Sequence, residues 1–217
     1  MRAASSAKLP PMTFPDRPFP DAGSYADAYF DRLAAASASV DRAALARAAA
    51  ILETAYKKGA TVYVCGNGGS AAIANTFVCD HGKLVQTDTA LTARVISLST
   101  NVPMMTAISN DAAYEDVFVY QLRTLGRPGD VLVTVSASGD SENVVRAAAW
   151  ARENGLHVIA LTGFAGGRTG GLADVHLHVE GDNYGVIEDT HQSLMHILAQ
   201  FIRQAHMPEE LVATRKF

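Results

Sequence analysis

The sequence predicts an α/β fold built on a parallel sheet with helices covering both faces. Three observations carry that prediction. Short runs of apolar, often β-branched residues alternate along the chain with segments of helical periodicity. The turns after the first and third of these runs are rich in glycine and serine. A chain of 217 residues with 48% hydrophobic and 18% charged side chains suits one sizeable core and excludes a disordered polymer.

Residues 1–21 hold five of the eight prolines, at positions 10, 11, 15, 18 and 20, so neither a regular helix nor a central strand fits there. They read as an extended arm, disordered or draped on a neighbour, ahead of a single domain over 22–217. Ser24 reads as the N-cap of a helix over 25–39, with Tyr29, Phe30 and Leu33 on one side. Asp41 caps a second helix over 42–57, where Leu45, Ala49, Leu52 and Tyr56 recur at helical spacing and Gly59 ends the run. Both helices are alanine-rich and precede the first strand. They therefore pack on the sheet or on another subunit, and oligomerisation is the preferred reading.

Val62, Tyr63 and Val64 open the first strand, Gly66, Gly68 and Gly69 turn the chain, and a helix runs from Ser70 to about His81. A polar loop over 84–92 leads to a second strand, 94–98. A helix through Ile108 follows, then a break at Asn110 and Asp111, then an amphipathic helix over 114–125. The third strand, 131–135, runs into Ser136-Ala137-Ser138-Gly139-Asp140-Ser141 and a helix over 142–154. A fourth strand (157–161), a glycine-rich turn (162–169), a fifth strand (175–179) and a long helix (184–206) complete the pattern.

In such folds ligands sit beyond the carboxyl ends of the strands, where both glycine- or serine-rich turns lie. At the first turn, free N–H groups at a helix start form a site for an anion, although glycines alone fit an empty βα turn equally well. GNGGS is neither a GxGxxG nor a Walker loop, so nucleotide binding is not favoured. At the second turn, the hydroxyls of Ser136, Ser138 and Ser141 and the loop amides can hold a phosphate dianion without a Lys or Arg. The plainer reading is that these serines cap a helix and satisfy a turn. A net charge of -4 gives no nucleic-acid footprint, so any phosphate recognition is local. No apolar run nears 18 residues, and no hydrophobic region follows Arg2 and Lys8. Neither a membrane span nor a signal peptide is expected. Cys65 and Cys79 give no disulfide framework and suit a reducing, cytoplasmic compartment.

GNGGSAA at 66–72, AISND at 107–111, SASGDS at 136–141, VIALTG at 158–163 and GGLADV at 170–175 resemble sugar isomerase (SIS) domain proteins. Within that family the chain is most similar to the phosphoheptose (sedoheptulose-7-phosphate) isomerases of lipopolysaccharide heptose synthesis, from about Tyr25 to Arg203. The resemblance implies a three-layer α/β/α sandwich around a five-stranded parallel sheet, assembled as a homotetramer. It implies that Ser136, Ser138 and Ser141 hold the phosphate, with Asn67, Gly68, Ser70, Asp111 and Glu188 contacting the sugar chain. The family turn usually reads STSGNS; Ala137 here removes a hydroxyl and Asp140 adds a carboxylate, which is expected to point away from the phosphate.

Family isomerases carry a His and a Glu four residues apart on the helix after GNGGS, and a Gln and a His eight apart on the last helix. These bind zinc, and the Glu and the last His are proposed acid/base groups. The matching positions here are Thr76, Asp80, Glu188 and His196, of which only His196 is unchanged. Thr is a poor zinc ligand, and Glu188 and His196 lie about 12 Å apart along a helix. Asp80, Glu188 and His196 still compose a two-carboxylate, one-imidazole set for zinc or a harder divalent ion, with His81 and His191 as spare imidazoles. Aldose–ketose isomerisation through an enediol needs a base and a group that polarises the carbonyl, roles assigned to Asp80 and His196. Two classes stand: a phosphosugar isomerase acting on sedoheptulose 7-phosphate or a related ketose phosphate, and a non-catalytic SIS module that senses a phosphosugar or binds a protein partner.

Overall fold

A computed structural model describes residues 13–217. Five strands form one all-parallel sheet: β1 (Thr61–Cys65), β2 (Arg94–Ser97), β3 (Val131–Val135), β4 (His157–Thr162) and β5 (Val175–His178), in the order β2-β1-β3-β4-β5. The register places Val64 beside Val133 and Val133 beside Ile159. The central strands β1 and β3 are buried throughout, which is why they read as continuous apolar runs.

The helices are α1 (Ala22–Ser39), α2 (Arg42–Lys58), α3 (Gly69–Cys79), α4 (Val102–Asp111), α5 (Val117–Leu125), α6 (Glu142–Glu153), α7 (Gly167–Leu172), α8 (Tyr184–His206) and α9 (Glu209–Val212). Side chains alternate across each strand and so build two cores. On one face Val62, Val64, Val133 and Ile159 pack with α2, α3 and α8 residues such as Leu52, Phe77 and Leu198. On the other, Tyr63, Cys65, Leu132 and Val158 meet Phe118, Leu122, Val144 and Ala148 of α5 and α6. The three-layer α/β/α sandwich with a five-stranded parallel sheet is the architecture expected.

Several boundaries differ from the sequence reading. Asp21, not Ser24, caps α1, its carboxylate accepting the Ser24 N–H at 2.9 Å. Asn110 and Asp111 do not break the chain; they are the last turn of α4. The glycine-rich turn after β4 contains the start of α7. Residues 80–84 add one π turn to the end of α3.

Of the segment read as an arm, residues 1–12 lie outside the described residues. From Phe14 the chain is seated on its own domain. The Phe14 ring is 5% exposed and sits 5.1 Å from Tyr25, and its carbonyl accepts from Asn183 Nδ2 at 3.1 Å. Among the described residues no helix is long and apolar enough to cross a membrane.

Candidate functional site

The turn from β1 to α3 is shaped by glycine for two separate reasons. A side chain at Gly66 would strike the carbonyls of Ser70 and Val135 at 2.6 and 2.8 Å, so the first turn of α3 and the end of β3 leave no room for a Cβ. Gly68 has φ +53°, the left-handed region that other residues avoid. Asn67 sits between them and exchanges hydrogen bonds with Asn143 on the first turn of α6, at 2.9 and 3.0 Å. Tyr114 adds a third bond, its hydroxyl donating to Asn67 Oδ1 at 2.8 Å. The two turns that the sequence marked separately are thus tied together by an amide pair. Asn143, 2% exposed, and Tyr114 escaped the sequence reading, because 76 and 47 residues of chain separate them from Asn67.

Ser70 is buried in the first turn of α3. Glu188, in the second turn of α8, lays its carboxylate against Gly69, in space that any Cβ there would fill. Burial, with a smaller contribution from neighbouring Asp189, raises the Glu188 pKa above the usual range. Asp189 itself accepts the Tyr29 hydroxyl at 2.6 Å. Asp111 is exposed at the end of α4, where Asn110 Nδ2 donates to it at 2.7 Å. Tyr114, three residues on, reaches the Asn67 turn instead. A depression of about 520 Å³ lined by Ser99, Met105, Ser109 and Tyr114 opens beside that turn, and Ser99 Oγ donates to the Gly66 carbonyl at 2.8 Å.

The second turn carries the three serines. Ser136 Oγ, buried, accepts the Gly139 N–H at 3.2 Å, and Ser138 Oγ accepts the Asp140 N–H at 3.2 Å. Ser141 occupies the N-cap position of α6, yet its hydroxyl makes no capping bond. The capping explanation for that serine is therefore set aside. Asp140 turns to Arg168, whose Nε donates to Oδ1 at 2.6 Å and holds the carboxyl below its usual range. The following loop is pressed against this one: Thr169 N–H donates to the Gly139 carbonyl at 3.0 Å and Gly163 N–H to Ala137 at 2.8 Å.

Asp80 heads the π turn, and His196 lies in the middle of α8. Asp80 Oδ2 and His196 Nδ1 are 2.5 Å apart, and Gln192 Nε2 lies 2.9 Å from His196 Nε2. In the neutral tautomer the Gln192 amide donates to Nε2, and Nδ1–H donates to the carboxylate. Among the described residues Asp80 Oδ1 makes no hydrogen bond. A π turn is a common way to displace one side chain from regular helical phase at a functional position.

The expected metal set is not assembled. Among the described residues no group of three or more His, Cys, Asp and Glu is placed to hold an ion. Asp80 and His196 are paired with each other, Glu188 is turned to Gly69, and Thr76 Oγ1 donates back to the Ala72 carbonyl at 3.1 Å. His81 and His191 do not substitute. Both are buried on the inner side of their helices, with pKa values pushed by burial to about 3 and about 4. Glu188 and His196, two turns apart on α8, meet different partners within the chain.

Comparison with known proteins identifies the family and the fold. A model of the SIS domain family matches residues 24–163. A phosphoheptose isomerase of Bordetella avium is 42% identical over 161 residues, covering 73% of this chain and 81% of the relative. Among solved structures, the phosphoheptose isomerase of Neisseria gonorrhoeae superposes with a TM-score of 0.77 at 32% identity, covering 84% of this chain and 98% of the other. That of Francisella tularensis gives 0.76 at 32% identity, covering 85% and 99%.

Proposed function

Because the chain belongs to the SIS domain family, among the phosphoheptose isomerases, we propose that it interconverts the ketose and aldose forms of a phosphosugar, with sedoheptulose 7-phosphate as substrate. The Asp80–His196 pair is the observation that carries the reading, since a module that only bound a sugar phosphate or a protein would have no need of it.

The phosphate is received by the Ser141 hydroxyl, which has no capping bond to give up, together with Ser136, Ser138 and the loop amides at the α6 N-terminus. Asn67, held by Asn143 and Tyr114, and the Gly68–Ser70 backbone contact the sugar chain. Glu188, its carboxyl laid against Gly69, meets a sugar hydroxyl beside that turn. Asp80 removes a proton from C1 of the ketose, giving an enediol, and the proton is returned to C2. His196 relays the hydroxyl proton from O1 to O2, so atoms and charge balance over the cycle. No step is assigned to a metal. We further propose a homotetramer acting in the cytoplasm, in the supply of heptose for lipopolysaccharide, with residues 22–217 as its one SIS domain.

The test is turnover of sedoheptulose 7-phosphate by wild type, Asp80→Asn and His196→Ala. Each variant is expected to lose about 10²-fold or more in kcat, the usual weight of a positioned acid or base. Undiminished turnover in both would overturn the assignment.

A further inference from the structure

Arg168 lies 28 residues beyond Asp140, at the start of α7, yet among the described residues its side chain bonds only to Asp140 of the serine-rich turn and to Glu142 just after it. Nε donates to Asp140 Oδ1 at 2.6 Å, Nη2 to the Asp140 carbonyl at 3.0 Å and Nη1 to Glu142 Oε2 at 2.9 Å. Its own backbone N–H adds a bond to Asp140 Oδ1 at 3.3 Å. The two carboxylates it engages bracket Ser141, the residue whose hydroxyl is uncommitted at the head of α6. Glu142 is shared with Arg146, which continues to Asp116 at 3.0 Å.

The row therefore reads Asp140, Arg168, Glu142, Arg146, Asp116: three carboxylates against two guanidiniums. This is an awkward neighbourhood for a phosphate dianion. A helix N-terminus attracts it, but the carboxylates of Asp140 and Glu142, on either side of Ser141 in the chain, oppose it. Three of the five guanidinium N–H donors are held by those two residues, which fixes the group against them rather than against a phosphate. Its effect is to offset part of the negative charge that would otherwise oppose binding.

We infer that Arg168 is a positioning residue for substrate, screening Asp140 and Glu142 so that the serine-rich turn accepts a phosphate dianion. The inference rests on the reading of that turn as the phosphate site. It accounts for how the chain carries an aspartate in this turn: the carboxylate comes with its own counter-charge, delivered by the neighbouring loop.

The experiment measures KM and kcat for sedoheptulose 7-phosphate and the competitive inhibition constant of inorganic phosphate. Arg168→Ala is expected to raise both KM and the phosphate constant about tenfold, with kcat within about twofold of wild type. The triple variant Asp140→Asn, Glu142→Gln, Arg168→Ala also lacks the tether between the loops, but carries no charge to be screened. It is expected to recover both constants to within about threefold of wild type. Unchanged constants in Arg168→Ala, or a triple variant as weak as the single one, would overturn the inference, the second by showing that the loop needs the tether. Ser141→Ala separates the two readings. A weakened phosphate constant there with an unaffected Arg168→Ala removes the screening role alone; an unchanged constant in Ser141→Ala removes the phosphate site and the inference with it.

Discussion

His81 and His191 show what burial does to an ionisable side chain when no charge is placed to meet it. His81 stacks on Phe77 with ring centroids 3.8 Å apart and accepts the Tyr56 hydroxyl at 2.7 Å. Among the described residues its Nε2 is buried without a hydrogen-bond partner. His191 donates from Nε2 to the Thr162 carbonyl at 3.1 Å, and among the described residues its buried Nδ1 has no partner. Both are held neutral, with pKa values of about 3 and about 4 against the ordinary 6.5. The sign of the pH effect follows. Below pH 6.5 the unfolded chain takes up protons that the folded chain refuses. The stability these residues contribute is thus complete above 6.5 and falls as pH drops toward 4, by about 1.4 kcal/mol per histidine per pH unit. Half-buried His176 and His178, also shifted down by burial, act in the same direction. Urea unfolding at pH 7 and pH 5 is expected to show a lower midpoint at pH 5, and a His81→Asn, His191→Gln variant to show a smaller difference between the two. An equal difference in the variant would place the acid sensitivity in other groups.

At the scale of elements, the site is made by two loops that share a contact only glycine permits. Gly139, at φ +65°, lies against the carbonyl of Gly166, and Gly167, at φ +57°, lies against Ser138 and Gly139. Gly139→Ala meets both a strained backbone and a collision with backbone that cannot rotate away. It is expected to cost about 1–3 kcal/mol from the conformation alone, read as a lower melting temperature, and to weaken inhibition by inorganic phosphate. A variant with wild-type melting and inhibition would mean the loops can part without consequence. This contact also explains what could and could not be read from the sequence. The strands were legible because a buried parallel strand is a plain apolar run, and the two turns because glycine and serine cluster where strands end. α7 was not, since GRTGGL has no helical signature and its helix is held by the loop beneath it. Asp80 and His196 were legible as a pair of residue types, and the fold brings them together across 116 residues. Their commitment to each other, with Glu188 aimed at Gly69, was not legible, because side-chain direction depends on the π turn and on how α8 is rotated against α3. Asn143, Tyr114 and Arg168 are ordinary polar residues until tertiary structure delivers them to the turns.

The molecule as a whole leaves apolar surface that a single chain has no use for. Phe30 on α1 is 63% exposed, and Ile197 and Phe201, one turn apart on α8, are 48% and 49% exposed. α1 is tied to α8 through Tyr29 and Asp189, and only Ala36 of its 18 residues is buried. These two helices thus turn large side chains outward on the helical layer that also carries His196. Exposed aromatic and aliphatic side chains of this kind are what an association surface supplies. Association here would also shield the half-exposed imidazole of the Asp80–His196 pair from bulk water, which strengthens electrostatic steps at that site. We expect light scattering in line with gel filtration to give four times the 23.0 kDa chain mass, the homotetramer proposed above. Phe201→Asp places a charge in that surface, and is expected to yield a smaller species with lower kcat on sedoheptulose 7-phosphate. Because Phe201 is already half exposed, the change leaves the core of the subunit intact, so a loss of activity would report on association. A wild-type protein that runs at the mass of one chain with full turnover would show that the outward face of α1 and α8 serves some purpose other than assembly.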